Sequence, residues 1–180
     1  MDNNSELQSS SSKQLQQCLF GLDRSPYGIL EKQCWCNSLH HHNSVSAGIC
    51  IHDNLDHFIA AKKILTNGLF RPPEAKALAL YHAISWTIDL GLPNIIFETD
   101  CKSIVDHISN PKLGSSYLNV IIRKCRTNLS LSPKSRVSFL RRQANLVVHN
   151  LARETRSYAS IHVFDHVLSL TMFLLVFRIW

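Results

Sequence analysis

Two carboxylates, one at the start of a predicted helix and one at the end of the strand that follows it, are the residues of this chain best placed for chemistry. Glu74 lies at the start of a segment with helical periodicity, and Asp100 lies just beyond the apolar segment 94–98. In an α/β sheet, ligand sites form outside the carboxyl ends of strands, so acids at these positions can meet. Two carboxylates there would suit a hard divalent cation, because such cations prefer oxygen ligands.

Each of these acids also has a structural explanation that needs no ligand. A negative charge at Glu74 complements the positive end of a helix dipole. Asp100 precedes the helical pattern "CKSIVDHI", and Asp is a common N-cap because its oxygens accept hydrogen bonds from the first helical turn. The spacing of the two acids therefore leaves both explanations open.

The elements that would position these acids are predicted from the spacing of apolar residues. Apolar and aromatic side chains in 71–91 recur at three- and four-residue intervals, so they share one helix face. Pro72 and Pro73 suit the first turn of that helix, and Gly91 ends it. The predicted order is hairpin, helix, strand, helix, helix, strand, helix, which indicates a mixed sheet with helices against it, an α/β fold. Strands are predicted at 46–52, 57–65, 94–98 and 136–142, and helices at 71–91, 101–108, 116–129 and 143–155.

Composition divides the chain into three parts. Residues 1–25 are predicted to be a disordered tail, since the polar, Ser-rich start offers little apolar surface to bury. Residues 26–157 are predicted to form one domain. Residues 158–180 are an apolar extension, which either packs as an extra helix or forms an exposed patch that drives association. Its apolar run is shorter than the roughly 20 residues that span a bilayer, so no membrane partner is expected.

The charge and the cysteines indicate an intracellular protein with a polyanionic partner. The net charge is +6, which tilts the expected partners toward polyanions such as nucleic acid. The six cysteines are scattered through a chain without a signal-peptide start, so reduced thiols in the nucleus or cytoplasm are expected. The Cys pair in 34–36 and the His run in 40–42 offer soft ligands, but the paired spacing of a structural zinc site is missing.

Two long stretches together resemble a known family. "PPEAKALALYHAISWTIDLGLPNIIFETDCKSIVDHI" (72–108) resembles the type 1 ribonuclease H fold, and more closely its plant, retrotransposon-derived, reverse-transcriptase-like branch. Members of that branch show a helix start like Glu-Ala-Glu-Ala-Leu-Ala-Leu and a strand that ends in Glu-Ser/Thr-Asp. "VSFLRRQANLVVHNLAR" (137–153) is similar to their closing strand and helix, where Arg-x-x-Asn-x-x-Ala-Asp/His-x-Leu-Ala recurs. The resemblance runs from about residue 34 to 156 and implies a mixed five-stranded sheet flanked by helices.

The resemblance implies cleavage of the RNA strand of an RNA–DNA hybrid. In that family four acids hold two Mg²⁺ ions, which activate a water and stabilise the leaving oxygen. Asp100 matches the acid after the strand, Glu74 matches the first Glu of the helix start, and His149 falls at the fourth acid position. The predicted catalytic residues are thus Asp100, Glu74 and His149, the predicted Mg²⁺ ligands are Asp100 and Glu74, and the predicted nucleic-acid contacts are Arg141, Arg142 and Asn145.

Three positions of the chain depart from the family pattern. The usual helix acid is the second Glu of the helix start, and that position holds Lys76, which would place a positive charge where the metal should be. Glu74 is two residues earlier, a turn of about 200°, so it would face away. The first acid position holds Leu39, which makes the first strand degenerate, and the family's His before the last helix matches Phe139.

The expected function combines the resemblance with these departures. We expect an RNase H-like nucleic-acid-binding domain, by resemblance an RNA–DNA hybrid endoribonuclease with impaired catalysis, and with Mg²⁺ as cofactor if it is competent. The alternative is a non-catalytic nucleic-acid-binding domain or a relic of retrotransposon origin. Missing acids favour impairment, since Mg²⁺ demands near-ideal octahedral oxygen coordination.

Overall fold

The structure is a computed structural model that describes residues 32–41, 43–53, 58–111, 114–140 and 162–164. Its described part contains three helices and six strands, and all six strands belong to one sheet. In chain order they are β1 (Lys32–His41), β2 (Ser44–His52), β3 (Phe58–Asn67), α1 (Pro72–Asp89), β4 (Ile95–Thr99), α2 (Lys102–Ser109), α3 (Tyr117–Ser130), β5 (Arg136–Phe139) and β6 (His162–Phe164).

The sheet is mixed, with the strand order β5-β4-β1-β2-β3-β6. The strands β1, β2 and β3 form an antiparallel meander, which confirms the predicted hairpin. The strands β4 and β5 run parallel to β1, so their carboxyl ends lie at the same end of the sheet. This arrangement confirms the expected mixed α/β fold with helices against a sheet.

The sheet differs from the expected five strands by one short addition. β6 pairs antiparallel with β3, from Ala61 opposite Phe164 to Lys63 opposite His162. These three residues belong to the C-terminal extension, for which a helix or an exposed patch was expected. The remainder of that extension, the predicted tail 1–25 and the predicted last helix 143–155 lie outside the described residues.

The first strand is degenerate in its residues but not in its backbone. β1 pairs with β2 along nine residues and with β4 from Lys32 to Cys36, so it occupies the middle of the sheet.

Helix α1 packs one buried face against the sheet. Its Ala77, Leu80 and Ile84 are buried, on the face that the sequence predicted. They pack with apolar residues of β2 and β4, including Ile49 and Phe97. Full burial of a side chain of this size contributes about 1.5–3 kcal/mol, so this layer dominates the stability of the described part.

The ends of α1 follow the chemistry of their residues. Pro72 and Pro73 are its first two residues, where a missing N–H is not needed. At its other end Gly91 has φ of 68°, a left-handed conformation that glycine adopts without strain. The N–H of Gly91 donates to the Ile88 carbonyl and that of Leu92 to the Thr87 carbonyl, which satisfies the last turn.

Helices α2 and α3 complete the layer. α3 buries Ile121, Ile122 and Cys125, and the amide of Asn128 donates to Ser85 Oγ of α1 at 3.0 Å. In the part of the chain that the structure describes, no helix has the length and apolarity needed to cross a membrane.

Candidate functional site

Asp100 lies at the carboxyl end of β4, where the sequence predicted a ligand site. Thr99, the last residue of β4, pairs with Cys36 of β1 on one side and with Phe139 of β5 on the other. The N–H of Leu140 donates to the Thr99 carbonyl at 3.0 Å, which holds β5 against this end of β4. We call Asp100, Lys76 and the three paired residues Cys36, Thr99 and Phe139 the Asp100 site.

Asp100 forms an ion pair with Lys76. The Nζ of Lys76 donates to Oδ1 of Asp100 at 2.7 Å. The side chain of Asp100 is only 6% exposed and that of Lys76 is 26% exposed, so solvent screens this pair only partly. Lys76 reaches Asp100 from the second turn of α1. The residue at the family's helix acid position thus places an ammonium group on the carboxylate that was expected to bind metal.

The alternative role of Asp100 as a helix cap is wrong. The N-cap of α2 is Cys101, one residue later, in an extended conformation and with no capping hydrogen bond from its side chain. The first turn of α2 is closed by backbone bonds, in which Ile104 and Val105 N–H donate to the Cys101 carbonyl. The carboxylate of Asp100 is engaged by Lys76 instead.

Glu74 has the structural role that was one of its two explanations. Its Oε2 accepts a hydrogen bond from the backbone N–H of Arg71 at 2.8 Å, which ties the start of α1 to its first turn. Lys76 is two residues further, a rotation of about 200° around the helix. The structure therefore brings Lys76 to Asp100 and shows Glu74 engaged at the helix start.

The first strand offers no carboxylate at the Asp100 site. Cys36 is level with Thr99, the last residue of β4, and the next residue of β1 is Asn37. Leu39 lies two residues beyond and is level with Ser46 of β2. No Asp or Glu occurs between Glu31 and Asp53, so no shift of register would bring one here.

The described residues do not fit a Mg²⁺ site. Within the described ranges, no group of three or more His, Cys, Asp or Glu residues could hold a metal ion. The carboxylate at the Asp100 site is already neutralised by an ammonium group. Mg²⁺ takes near-octahedral oxygen coordination, which one paired carboxylate cannot supply. His149, Arg141, Arg142 and Asn145 lie outside the described residues, so their predicted roles stay predictions.

Phe139 is a residue of this site that differs from the family pattern. It is 45% exposed at the end of β5, level with Thr99. The family resemblance places a His at this position, and an exposed ring here offers no proton-transfer group. Sequence reasoning had identified this substitution.

A group of titratable side chains between α1 and β3 was missed by sequence reasoning. The Nε2 of His82 is buried and has no hydrogen-bond partner within the described part of the chain. Burial, and then the nearby charge of Lys62, lower the pKa of His82. Burial lowers the pKa of Lys62 as well, against an opposite effect of Asp89, and its ammonium lies 5.5 Å from the ring centre of Trp86. In the sequence, the only signal for this group was His82, a polar residue among the apolar residues of the predicted helix.

Comparison with known proteins agrees with this architecture. A family model described as reverse transcriptase-like matches residues 36–155. No curated protein matches the chain by sequence. Among solved structures, RNase H1 of the archaeon Halobacterium salinarum superposes with a TM-score of 0.65 at 15% identity, covering 71% of this chain and 98% of that one.

Two further solved structures have the same fold. The N-terminal RNase H domain of a Mycobacterium tuberculosis protein gives a TM-score of 0.64 at 15% identity, covering 72% of this chain and 96% of that one. LC11-RNase H1, isolated from compost, is in complex with an RNA/DNA hybrid and gives 0.62 at 14% identity, covering 69% of this chain and 95% of that one. Likeness at these identities shows the fold.

Proposed function

The chain belongs to the reverse transcriptase-like family and has an RNase H-like fold, and from that premise we propose that it binds RNA–DNA hybrids with cleavage lost or strongly impaired. The fold supports the binding half of this proposal, since one structural relative is in complex with an RNA/DNA hybrid. The net charge of +6 supports it as well, because nucleic-acid backbones attract cationic surfaces. The plant branch and a retrotransposon origin belong to the same proposal, on the motifs at 72–108 and 137–153, and an intracellular location belongs to it on the six scattered cysteines.

The ion pair between Lys76 and Asp100 is the observation that carries the loss of cleavage. Hybrid cleavage by two metal ions needs several carboxylates to hold the ions in line with the scissile phosphate. Two unit charges 4 Å apart interact by about 4 kcal/mol at an effective dielectric constant near 20. The repulsion between Lys76 and a divalent ion on Asp100 is about twice that, so metal binding would require Lys76 to leave its partner.

The same ammonium group can support binding without metal. A lysine ammonium has three N–H donors, and Asp100 Oδ1 accepts one of them. Within the described residues the other two have no acceptor, and the side chain is 26% exposed, so they can donate to a phosphate oxygen. Binding of a hybrid should therefore not depend on divalent cations.

Binding and cleavage of one labelled hybrid test this proposal together. Fluorescence anisotropy should detect binding in EDTA, with no requirement for Mg²⁺, and the affinity should fall steeply with salt. The RNA strand should stay intact in Mg²⁺ and in Mn²⁺. Absence of binding at low salt would contradict the proposal and leave a folded relic as the explanation.

A second candidate is a working metal-dependent endoribonuclease. The position of Asp100 at the carboxyl end of β4, between two parallel strand ends, favours it. Cleavage of the hybrid in Mg²⁺ or Mn²⁺ that disappears in Asp100→Asn would establish this candidate. If the parent protein does not cleave the hybrid at all, the result would support the non-catalytic binding domain.

A further inference from the structure

The basic residues of the chain are concentrated in one continuous segment. Residues 107–153 contain nine Lys and Arg and no Asp or Glu, whereas the rest of the chain contains ten Lys and Arg and thirteen acids. The described part of this segment runs over 107–111 and 114–140, and its Lys and Arg lie on α3, in the turn after it and on β5. A segment of this length without any acid is not expected of an ordinary solvated surface, on which both signs are mixed.

Helix α3 presents three of these cations on its outer face. Arg123, Lys124 and Arg126 are exposed, whereas the opposite face, with Ile122 and Cys125, is buried against α1. Thr127 and Ser130 are the other exposed residues in the second half of the helix, and neither is charged. Within the described residues, none of the three cations forms an ion pair with an acid.

Two of the three cations are held by neighbouring helices. The ammonium of Lys124 lies 5.9 Å from the ring centre of Tyr81 on α1. Arg126 Nη1 donates to the Ile108 carbonyl at the end of α2. Arg123 lies between them around the helix. These contacts restrict the side chains before any partner binds, which reduces the entropy lost on binding.

The three cations are separate from the Asp100 site, but helix α3, which carries them, begins beside the start of α1. The ring of Tyr117, the first residue of α3, lies 5.9 Å from Phe70, just before α1. α3 then runs toward the other end of the sheet, because it leads into β5, whose first residue pairs with Ile96 at the start of β4. Arg123 is six residues along, roughly 9 Å from Tyr117 at 1.5 Å per residue.

We propose that Arg123, Lys124 and Arg126 form a second nucleic-acid contact, the α3 surface, which holds a phosphate backbone by charge while another part of the nucleic acid lies at the Asp100 site. This inference rests on the proposed function and adds a surface to it. The contact is independent of base sequence, because it consists of cations facing a repeating anion. It also predicts that hybrids long enough to reach both places bind more tightly than short ones.

The test is the salt dependence of hybrid binding by the full chain. The triple variant Arg123→Gln, Lys124→Gln, Arg126→Gln should bind roughly 10- to 100-fold more weakly at low salt. The slope of log affinity against log salt concentration should become shallower by about 2 to 3, since each phosphate contact contributes about 0.9. The single variant Arg123→Gln, which leaves the contacts of Lys124 and Arg126 in place, should lower the slope by about 1.

A matched control removes the same charge elsewhere. The triple variant Lys13→Gln, Arg24→Gln, Arg178→Gln lies outside the described residues and should change the slope by less than the single contact of about 0.9 that Arg123→Gln removes. If the parent protein binds and both α3 variants bind with its affinity and slope, the α3 surface is refuted and the proposed function stands. Equal losses in the α3 and control triples would refute it too, by showing an effect of net charge. A parent protein that does not bind at all overturns the proposed function and this surface with it.

Discussion

Between α1 and the sheet, the described residues form a continuous apolar interior; at the Asp100 site, the described residues supply fewer carboxylates than two-metal chemistry needs. The interior is built from many apolar side chains, such as Leu80, Ile84 and Phe97, each of which contributes separately. The Asp100 site has one carboxylate, and Lys76 neutralises it. Both regions belong to the same sheet and helix. They differ in how strongly the property of each, apolar packing or metal binding, depends on single residues.

Apolar burial and metal chemistry respond differently to substitution. An interior tolerates exchange among apolar residues, because the stabilisation is roughly proportional to the area removed from water. A two-metal site depends on several carboxylates acting together, so loss of one or two removes the activity and not a fraction of it. A chain can therefore keep an RNase H-like fold at 15% identity to solved relatives while its site changes character.

Substitution of an interior residue should give the largest change in the free energy of unfolding. Leu80→Ala should lower the free energy of unfolding by about 2–5 kcal/mol, since it removes a fully buried side chain and leaves a cavity. Urea unfolding measures this change. Leu69→Ala is the matched control, because Leu69 is 85% exposed, and it should stay within about 0.5 kcal/mol of the parent. Equal effects of the two would mean that α1 does not pack as described.

The ion pair should give the next largest response. Lys76→Met should cost about 1–3 kcal/mol, because it leaves the nearly buried carboxylate of Asp100 without its partner. Adding Asp100→Asn should recover part of that loss, so a double-mutant cycle should give a coupling energy above about 0.5 kcal/mol. Strictly additive effects would show that the two side chains do not interact in solution.

Glu74 should give a smaller response than either residue of the pair. Glu74→Ala should cost about 0.5–1 kcal/mol, since the Arg71 N–H loses its acceptor at the start of α1. Glu74→Gln, which keeps an oxygen acceptor, should be close to the parent in thermal unfolding. A large loss in Glu74→Gln would indicate a need for the charge itself and would reopen the role of Glu74 as a ligand.

The smallest response should come from His82 and depend on pH. Its pKa in the folded protein is lowered from 6.5, so the unfolded chain binds more protons than the folded one below about pH 6.5. Stability should therefore fall as the pH drops from 6.5 toward the lowered pKa, and fall no further from this group below it. His82→Gln should weaken that pH dependence in urea unfolding measured between pH 7 and pH 5. An unchanged dependence would mean that His82 is not buried in its neutral form.

The sequence predicted the elements well and their contacts poorly, for physical reasons. The position of α1 followed from Pro72, Pro73 and Gly91 together with a periodic apolar face, all of which are local signals. The N-cap of α2 is Cys101 and not Asp100. This difference of one residue depends on where the backbone turns helical, and no sequence pattern marks that point.

Long-range contacts account for the other differences. The charge of Lys76 at an acid position could be identified from the family motif, but its 2.7 Å bond to Asp100 depends on how α1 lies across β4. The pairing of β6 with β3 joins residues about a hundred positions apart, and three residues carry too little pattern to predict it. Such contacts are set by packing of the whole domain and not by the local sequence.

Metal binding at Asp100 is the measurement that tests the central claim most directly. Titration of Mn²⁺ into the protein, with free Mn²⁺ counted by electron paramagnetic resonance, should give the same bound fraction for the parent chain and for Asp100→Asn. Lys76→Glu, which replaces the ammonium by a second carboxylate, should bind more Mn²⁺ than either. Saturable binding by the parent chain that is lost in Asp100→Asn would contradict the claim that Lys76 takes the place of a metal ion.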